Sequence, residues 1–229
     1  MKVVLCSFFS FVFSVTMSEG QIANVIKISG EPIRASRYEA IQGVPYLESG
    51  DWQNGSMVDN QGHRFENIPM RYNAFSDELE VKQGATPIIV DRKSLSSFQF
   101  TAMDDFGNKQ EYVFRNGFSG SDEFDKYTNF RIIYDHEKLK IVERIRKTEI
   151  RVTPAAYGEM DYKKFTESNE TYLMLKNQWQ QTRINQKVLF KVLPDQKDLI
   201  KEFIRSKDLK VDDRGDLIAL CDYIVSIIP

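Results

Sequence analysis

The sequence predicts an α+β protein: a mainly antiparallel β-sheet domain, built as a sandwich, roll or open barrel, followed by C-terminal helices. Three observations carry this. Between residues 40 and 184, short stretches alternate apolar and polar side chains, the period of half-buried strands. They are punctuated by "SGD", "NG" and "DNQG", the residue types of tight turns. Beyond residue 185 the apolar spacing becomes helical.

In chain order, residues 1–20 read "MKVVLCSFFSFVFSVTMSEG", a lysine, an apolar run and a small-residue exit. That is the pattern of a secretory signal peptide cleaved near Gly20, and the run is too short to span a bilayer. The expected location is therefore secreted or periplasmic, with no transmembrane segment in the mature chain. Removing 20 of the 229 residues takes one charge of each sign, so the net charge of −2 is kept. Nothing in that balance suits nucleic acid, which is bound through a clustered positive field. Cys221 is then the one thiol left, and stability must come from packing rather than a disulfide.

Residues 21–39 read as an arm or short strand. A hairpin follows, pivoting on residues 59–62. In "IPMRYNAFSDELEVKQG", residues 68–84, Met70 and Tyr72 face one way and Arg71 and Asn73 the other. Leu79 and Val81 are likewise opposed to Glu78 and Glu80. The expectation is a hairpin with a greasy face and a wet charged face, where Arg71 pairs with Glu78 or Glu80 for a few tenths of a kcal/mol. Strands are predicted at "TPIIVD", "SSFQFTAM" and "QEYVFRN", then a polar loop "GFSGSDEFDKYTN". "FRIIYD" and "KLKIVERIRKTEIRV" form a hairpin, residues 157–168 are irregular, and "TYLMLKNQWQQTRI" makes the last hairpin.

From residue 185 to 229 the apolar positions mark three helices. Asn185 caps the first, Pro194 ends it and opens the second, and Asp212 or Asp213 caps the third. Eight basic and eight acidic residues leave their outer face balanced, and this segment is expected to pack on the sheet or form a small bundle beside it.

Motifs of catalysis are missing. There is no phosphate-cradling loop, no dinucleotide fingerprint and no nucleophile elbow, so no cofactor is implied. Two histidines, His63 and His136, with a single mature cysteine on an apolar helix face, do not make a metal site. Asp122, Glu123 and Asp125 lack the order of a calcium loop. The candidate ligand-binding residues are aromatic: Trp52, Tyr46 and Trp179, whose rings could stack on a sugar or a partner surface, although aromatics in sheets usually fill the core.

The order of features resembles a group of uncharacterised exported β-rich proteins of Bacteroidetes-type bacteria. The matching residues are Pro45 to Leu47, Trp52 to Gly55, Gly62, Arg71 to Asn73, Asp77 to Leu79, Ala155 to Gly158 and the tail "LPDQKDLIKEFI". Where such proteins have a D-G-K turn, this chain has "DHEK". The resemblance implies export and a β-rich body followed by helices, and it implies no activity.

Three functions are compatible with these residues. The favoured one is a non-enzymatic binding or envelope-associated module that recognises a glycan, a peptide or an envelope protein through its aromatics and the loop of residues 118–127. The second is a polysaccharide or peptidoglycan hydrolase with paired carboxylates drawn from Asp77, Glu78, Asp122 and Glu123. The third is an assembly subunit that docks through its helical tail.

Overall fold

The computed structural model describes residues 28–33, 38–84, 86–104, 107–154 and 160–228. The expected signal peptide, most of the arm and the "AAYG" stretch lie outside them. Among the described residues there are fourteen strands and three α-helices, in the order read from the sequence, strands first and helices last.

Eleven strands make one open sheet that does not close into a barrel. Its first part comprises β1 (Gly30–Pro32), β3 (Gln53–Asp59), β4 (Arg64–Asn73), β5 (Glu78–Gln83), β6 (Thr86–Val90), β7 (Leu95–Met103) and β8 (Lys109–Arg115). Its second part comprises β9 (Phe130–Asp135), β10 (Leu139–Arg144), β13 (Glu170–Leu175) and β14 (Gln178–Gln181). The spatial order is β1-β6-β5-β4-β3-β7-β8-β9-β10-β13-β14. β8 and β9 meet only through the pairs Phe114 with Arg131 and Arg115 with Phe130, so the two parts join at a narrow seam.

A second sheet carries β11 (Lys147–Val152), β12 (Tyr162–Glu167) and the short β2 (Ile41–Gln42), which lies parallel to β12. The expected single strand over "KLKIVERIRKTEIRV" is broken at Ile145 and Arg146. Ile145 turns into the core of the first part, and Lys147 N–H donates to the Ala74 carbonyl at 3.0 Å. The stretch expected to be irregular holds β12, none of whose residues is buried. With so little apolar alternation, its pairing with β11 is what makes it a strand.

The first part packs Met70, Tyr72, Leu79 and Val81 against Phe98, Phe100, Tyr112 and Phe114. Phe98 and Phe114 stack with centroids 4.7 Å apart, a contact worth about 0.5–1.5 kcal/mol beyond burial. In the second part both sheet faces are covered. Ile141 and Leu173 pack under the helices, while their chain neighbours Val142 and Tyr172 pack with Phe118, Phe124 and Phe130 beneath the 116–129 loop.

The helices are α1 (Gln186–Val192), α2 (Lys197–Lys207) and α3 (Arg214–Ile227), with a 3₁₀ turn at Pro194–Gln196. Asn185 accepts from Val188 N–H and Asp213 from Asp216 N–H, the capping that the sequence predicts. Arg214 fastens α3 to the sheet by donating to the carbonyls of Ile132 at 3.0 Å and Glu111 at 3.4 Å. No helix among the described residues is long and apolar enough to cross a membrane.

Candidate functional site

The charged face of the β4–β5 hairpin is not wet. Residues 45–47 run along the end of β4, with Leu47 N–H donating to the Tyr72 carbonyl at 2.9 Å, and this segment closes over the side expected to face solvent. Arg71 stands opposite Glu80 in the register, and its Nε donates to Glu80 Oε2 at 2.7 Å. Glu80 is fully buried. The pair is therefore an internal one, and the expected exposed contact is corrected: strand alternation gives the direction of a side chain, but a covering segment decides whether that direction is solvent.

Tyr46 and Trp52 belong to this cluster. The Arg71 guanidinium lies 3.9 Å from the Tyr46 ring centroid and 4.4 Å from that of Trp52, and Lys82 Nζ lies 4.7 Å from the Trp52 ring. Arg71 also donates to the Tyr46 hydroxyl at 2.6 Å. Burial, followed by the Glu80 charge, pushes the Tyr46 phenol up to about 12. Gly50 at φ 76° makes the local turn, and a Cβ there would stand 2.6 Å from the Tyr46 ring. These rings give their faces to the protein's own cations.

Trp179 sits apart from them. It meets Phe118 and Phe124 edge-on, with centroids 5.6 Å away in each case, and its Nε1 donates to the Ser119 carbonyl at 2.9 Å. It holds down the 116–129 loop.

That loop forms one wall of a polar cleft of about 560 Å³, within the range of about 300–1,000 Å³ typical of small-molecule sites. Four elements meet there. The β4–β5 turn supplies Phe75, Ser76 and Asp77, the β6–β7 turn supplies Arg92, the loop supplies Asp122, Glu123 and Asp125, and the end of β10 supplies Arg144 and Arg146. Phe75 is 40% exposed and forms an edge-to-face trio with Tyr38 and Phe165, so a supported aromatic ring stands at the cleft.

Asp77 ties three of these walls together. Its Oδ1 accepts from the Tyr72 hydroxyl and from Asn129 Nδ2, both at 2.8 Å. Its Oδ2 accepts from Arg92 at 3.2 Å and from Asn129 N–H at 3.3 Å. It takes a left-handed backbone, φ 57°, a conformation that Asp tolerates better than most residues. The turn before it is shaped by Asn73, whose Oδ1 accepts from the N–H groups of Phe75 and Ser76. Burial raises the Asp77 carboxyl above its usual value, against the pull of Asn129, Arg92 and Tyr72.

A buried carboxylate in a cleft is a place to look for catalysis. Here four donors already fill its lone pairs, which leaves no site on Asp77 for a substrate proton. Asp77 is a brace. Of the other carboxylates named from the sequence, Asp122 and Glu123 line the same cleft. Glu78 lines a neighbouring depression that shares Arg92 and Asp125 with it. Burial would raise Asp125, but the N–H of Tyr127, the Arg92 charge and Thr128 hold it below the usual range.

The remaining titratable candidates have structural posts. His63 Nδ1 lies 2.8 Å from Asp59 Oδ2 inside the β3–β4 turn, and His136 accepts from Lys138 N–H in the β9–β10 turn. Cys221 is buried among the helices. Among the described residues no three His, Cys, Asp or Glu side chains gather as a metal site.

The sequence reading had the loop but not its opposite wall. Arg92, Arg144 and Arg146 sit in strand ends and turns, and no local pattern sets them apart from other surface arginines. No protein-family model, curated protein or solved structure matches this chain.

Proposed function

We propose that this chain is an exported, non-enzymatic binding module that holds a small polar ligand, of the size of a short glycan or peptide, in the cleft beside the 116–129 loop. The observation that carries this reading is the composition of the cleft: three arginines, serine and threonine hydroxyls, carboxylates, and one exposed, well-braced aromatic ring in a single cavity. Such a mixture orients a polar ligand by hydrogen bonds and offers a face for an apolar patch. The signal-peptide pattern and the resemblance to exported β-rich proteins support the compartment. Asp77, saturated by its own donors, speaks against a hydrolase.

The test is thermal unfolding of the chain from residue 21 onward against panels of oligosaccharides, peptidoglycan fragments and short peptides. A ligand at 100 times its Kd adds about 2.7 kcal/mol, which at about 2–4 °C per kcal/mol is a shift of several degrees. Phe75→Ala should abolish the shift. A ligand that acts equally on the Phe75→Ala protein, or one that is turned over, overturns the reading.

A further inference from the structure

The two long walls of the cleft carry opposite, incompletely neutralised charge. On the β10 side, Arg146 donates to Glu170 Oε1 at 2.9 Å, while Arg144 approaches Glu170 Oε2 only to 3.7 Å, and the Tyr172 hydroxyl donates to the same Oε2 at 3.1 Å. One carboxylate thus serves two guanidiniums and a phenol. The Arg144 Nε is buried with no partner at all. This wall keeps a positive excess with donors to spare, since each guanidinium has five.

On the loop side, Asp122 and Glu123 are exposed, and neither has an ion pair among the described residues. The nearby cation, Arg92, is already shared between Asp77 at 3.2 Å and Asp125 at 3.4 Å. Among the described residues no ion pair within 4 Å links the loop wall to Arg144 or Arg146, so the two walls do not neutralise each other by direct contact.

A simple anion would satisfy the arginines and be repelled by the loop, and a simple cation would do the reverse. A neutral sugar would compensate neither wall. We infer that the ligand is a zwitterion of the amino-acid class, a free amino acid or short peptide, with its carboxylate on Arg144 and Arg146 and its ammonium on Asp122 and Glu123. Phe75 then faces a ligand side chain. This inference rests on the binding reading above and specifies its ligand.

The experiment is isothermal titration calorimetry of the chain from residue 21 with alanine, phenylalanine and lysine-containing di- and tripeptides in free, N-acetylated and C-amidated forms. Neutral oligosaccharides run in parallel. A charge-assisted hydrogen bond is worth enough that blocking either end should weaken binding about tenfold or more. Arg146→Gln, which leaves Arg144 in place, should reduce the penalty for amidation while keeping that for acetylation, and the Asp122→Asn, Glu123→Gln double variant should erase the penalty for acetylation while keeping that for amidation. All three side chains are exposed or half-exposed, and unchanged melting temperatures would establish that the variants fold. Blocked peptides that bind as well as free ones overturn the inference. Binding of neutral oligosaccharides alone, lost in Phe75→Ala, overturns it too but leaves the binding reading standing. No binding from either panel overturns both.

Discussion

Arg71 Nε donates to Glu80 Oε2 across 2.7 Å, and the Glu80 carboxylate has no contact with solvent. Around this pair the rings of Tyr46 and Trp52 replace water as the surroundings of the guanidinium. A buried ion pair is worth little over a well-packed apolar pair, but half of one is costly. Arg71→Met should therefore destabilise the chain by about 3–5 kcal/mol, since the buried Glu80 would lose its cation and keep only the Tyr46 hydroxyl at 3.4 Å. The Arg71→Met, Glu80→Met double variant should recover much of that loss. Urea unfolding of the two singles and the double closes the cycle. Additive losses would mean that the pair is not coupled.

How much of this was legible in the sequence depends on the distance between partners. The β4–β5 hairpin was, because Met70, Tyr72, Leu79 and Val81 alternate locally and the turn residues lie between them. The helix caps were, because Asn185 and Asp213 act on N–H groups three residues away. The burial of Glu80 was not, because its cover comes from Tyr46, 34 residues earlier. Asp77 was legible as a candidate carboxylate of a hydrolase but not as a brace, since Asn129 reaches it from 52 residues further on. Neither contact leaves a periodic trace. β12 went unread for a different reason: its strand conformation comes from pairing with β11 and not from its own alternation.

Asp77 gives a pH signature with a definite sign. Burial raises its folded value above the ordinary 3.8, so the folded chain holds this proton more tightly than the unfolded one. The resulting stability is fully present below 3.8 and is lost as pH rises through the folded value. Asp125 and Asp135 are shifted the other way, so their contribution is present above 3.8 and lost as pH falls through their lower folded values. Asp77→Asn removes the first effect and keeps the second. The melting temperature of the wild type minus that of Asp77→Asn should fall as pH is raised from 3.8, when both are scanned by circular dichroism. A constant difference would place the titration of Asp77 outside the folding equilibrium.

Trp179 should report on the loop wall. Trp179→Ala removes edge contacts with Phe118 and Phe124 and the bond to the Ser119 carbonyl, and because the ring is only half-buried the cost should be about 2–3 kcal/mol. Trp179→Phe keeps most of the packing and should cost about 1 kcal/mol, the value of one net hydrogen bond. Hydrogen exchange at residues 118–124 should quicken in the alanine variant, with β3 to β7 unaffected. Protection of the loop unchanged in Trp179→Ala would show that Phe118 and Phe124 hold it without the indole.

Cys221 offers the simplest check on the helical layer. It lies fully buried between α3 and the sheet, and burial, reinforced by the neighbouring Asp222 charge, pushes its thiol up to about 12. The thiolate is the reactive form, so the native chain should be inert to a disulfide exchange reagent at pH 8 and should react at one thiol per chain from residue 21 once unfolded in guanidinium. The rate at low denaturant then reads the opening of the helical layer from the sheet. If that opening is global, Leu220→Ala and Phe98→Ala, which lie in separate cores, should each speed the reaction in proportion to the stability each one loses. Acceleration by Leu220→Ala alone would identify the helices as a unit that opens while the first part of the sheet stays folded, and the narrow β8–β9 seam is where such a division would fall.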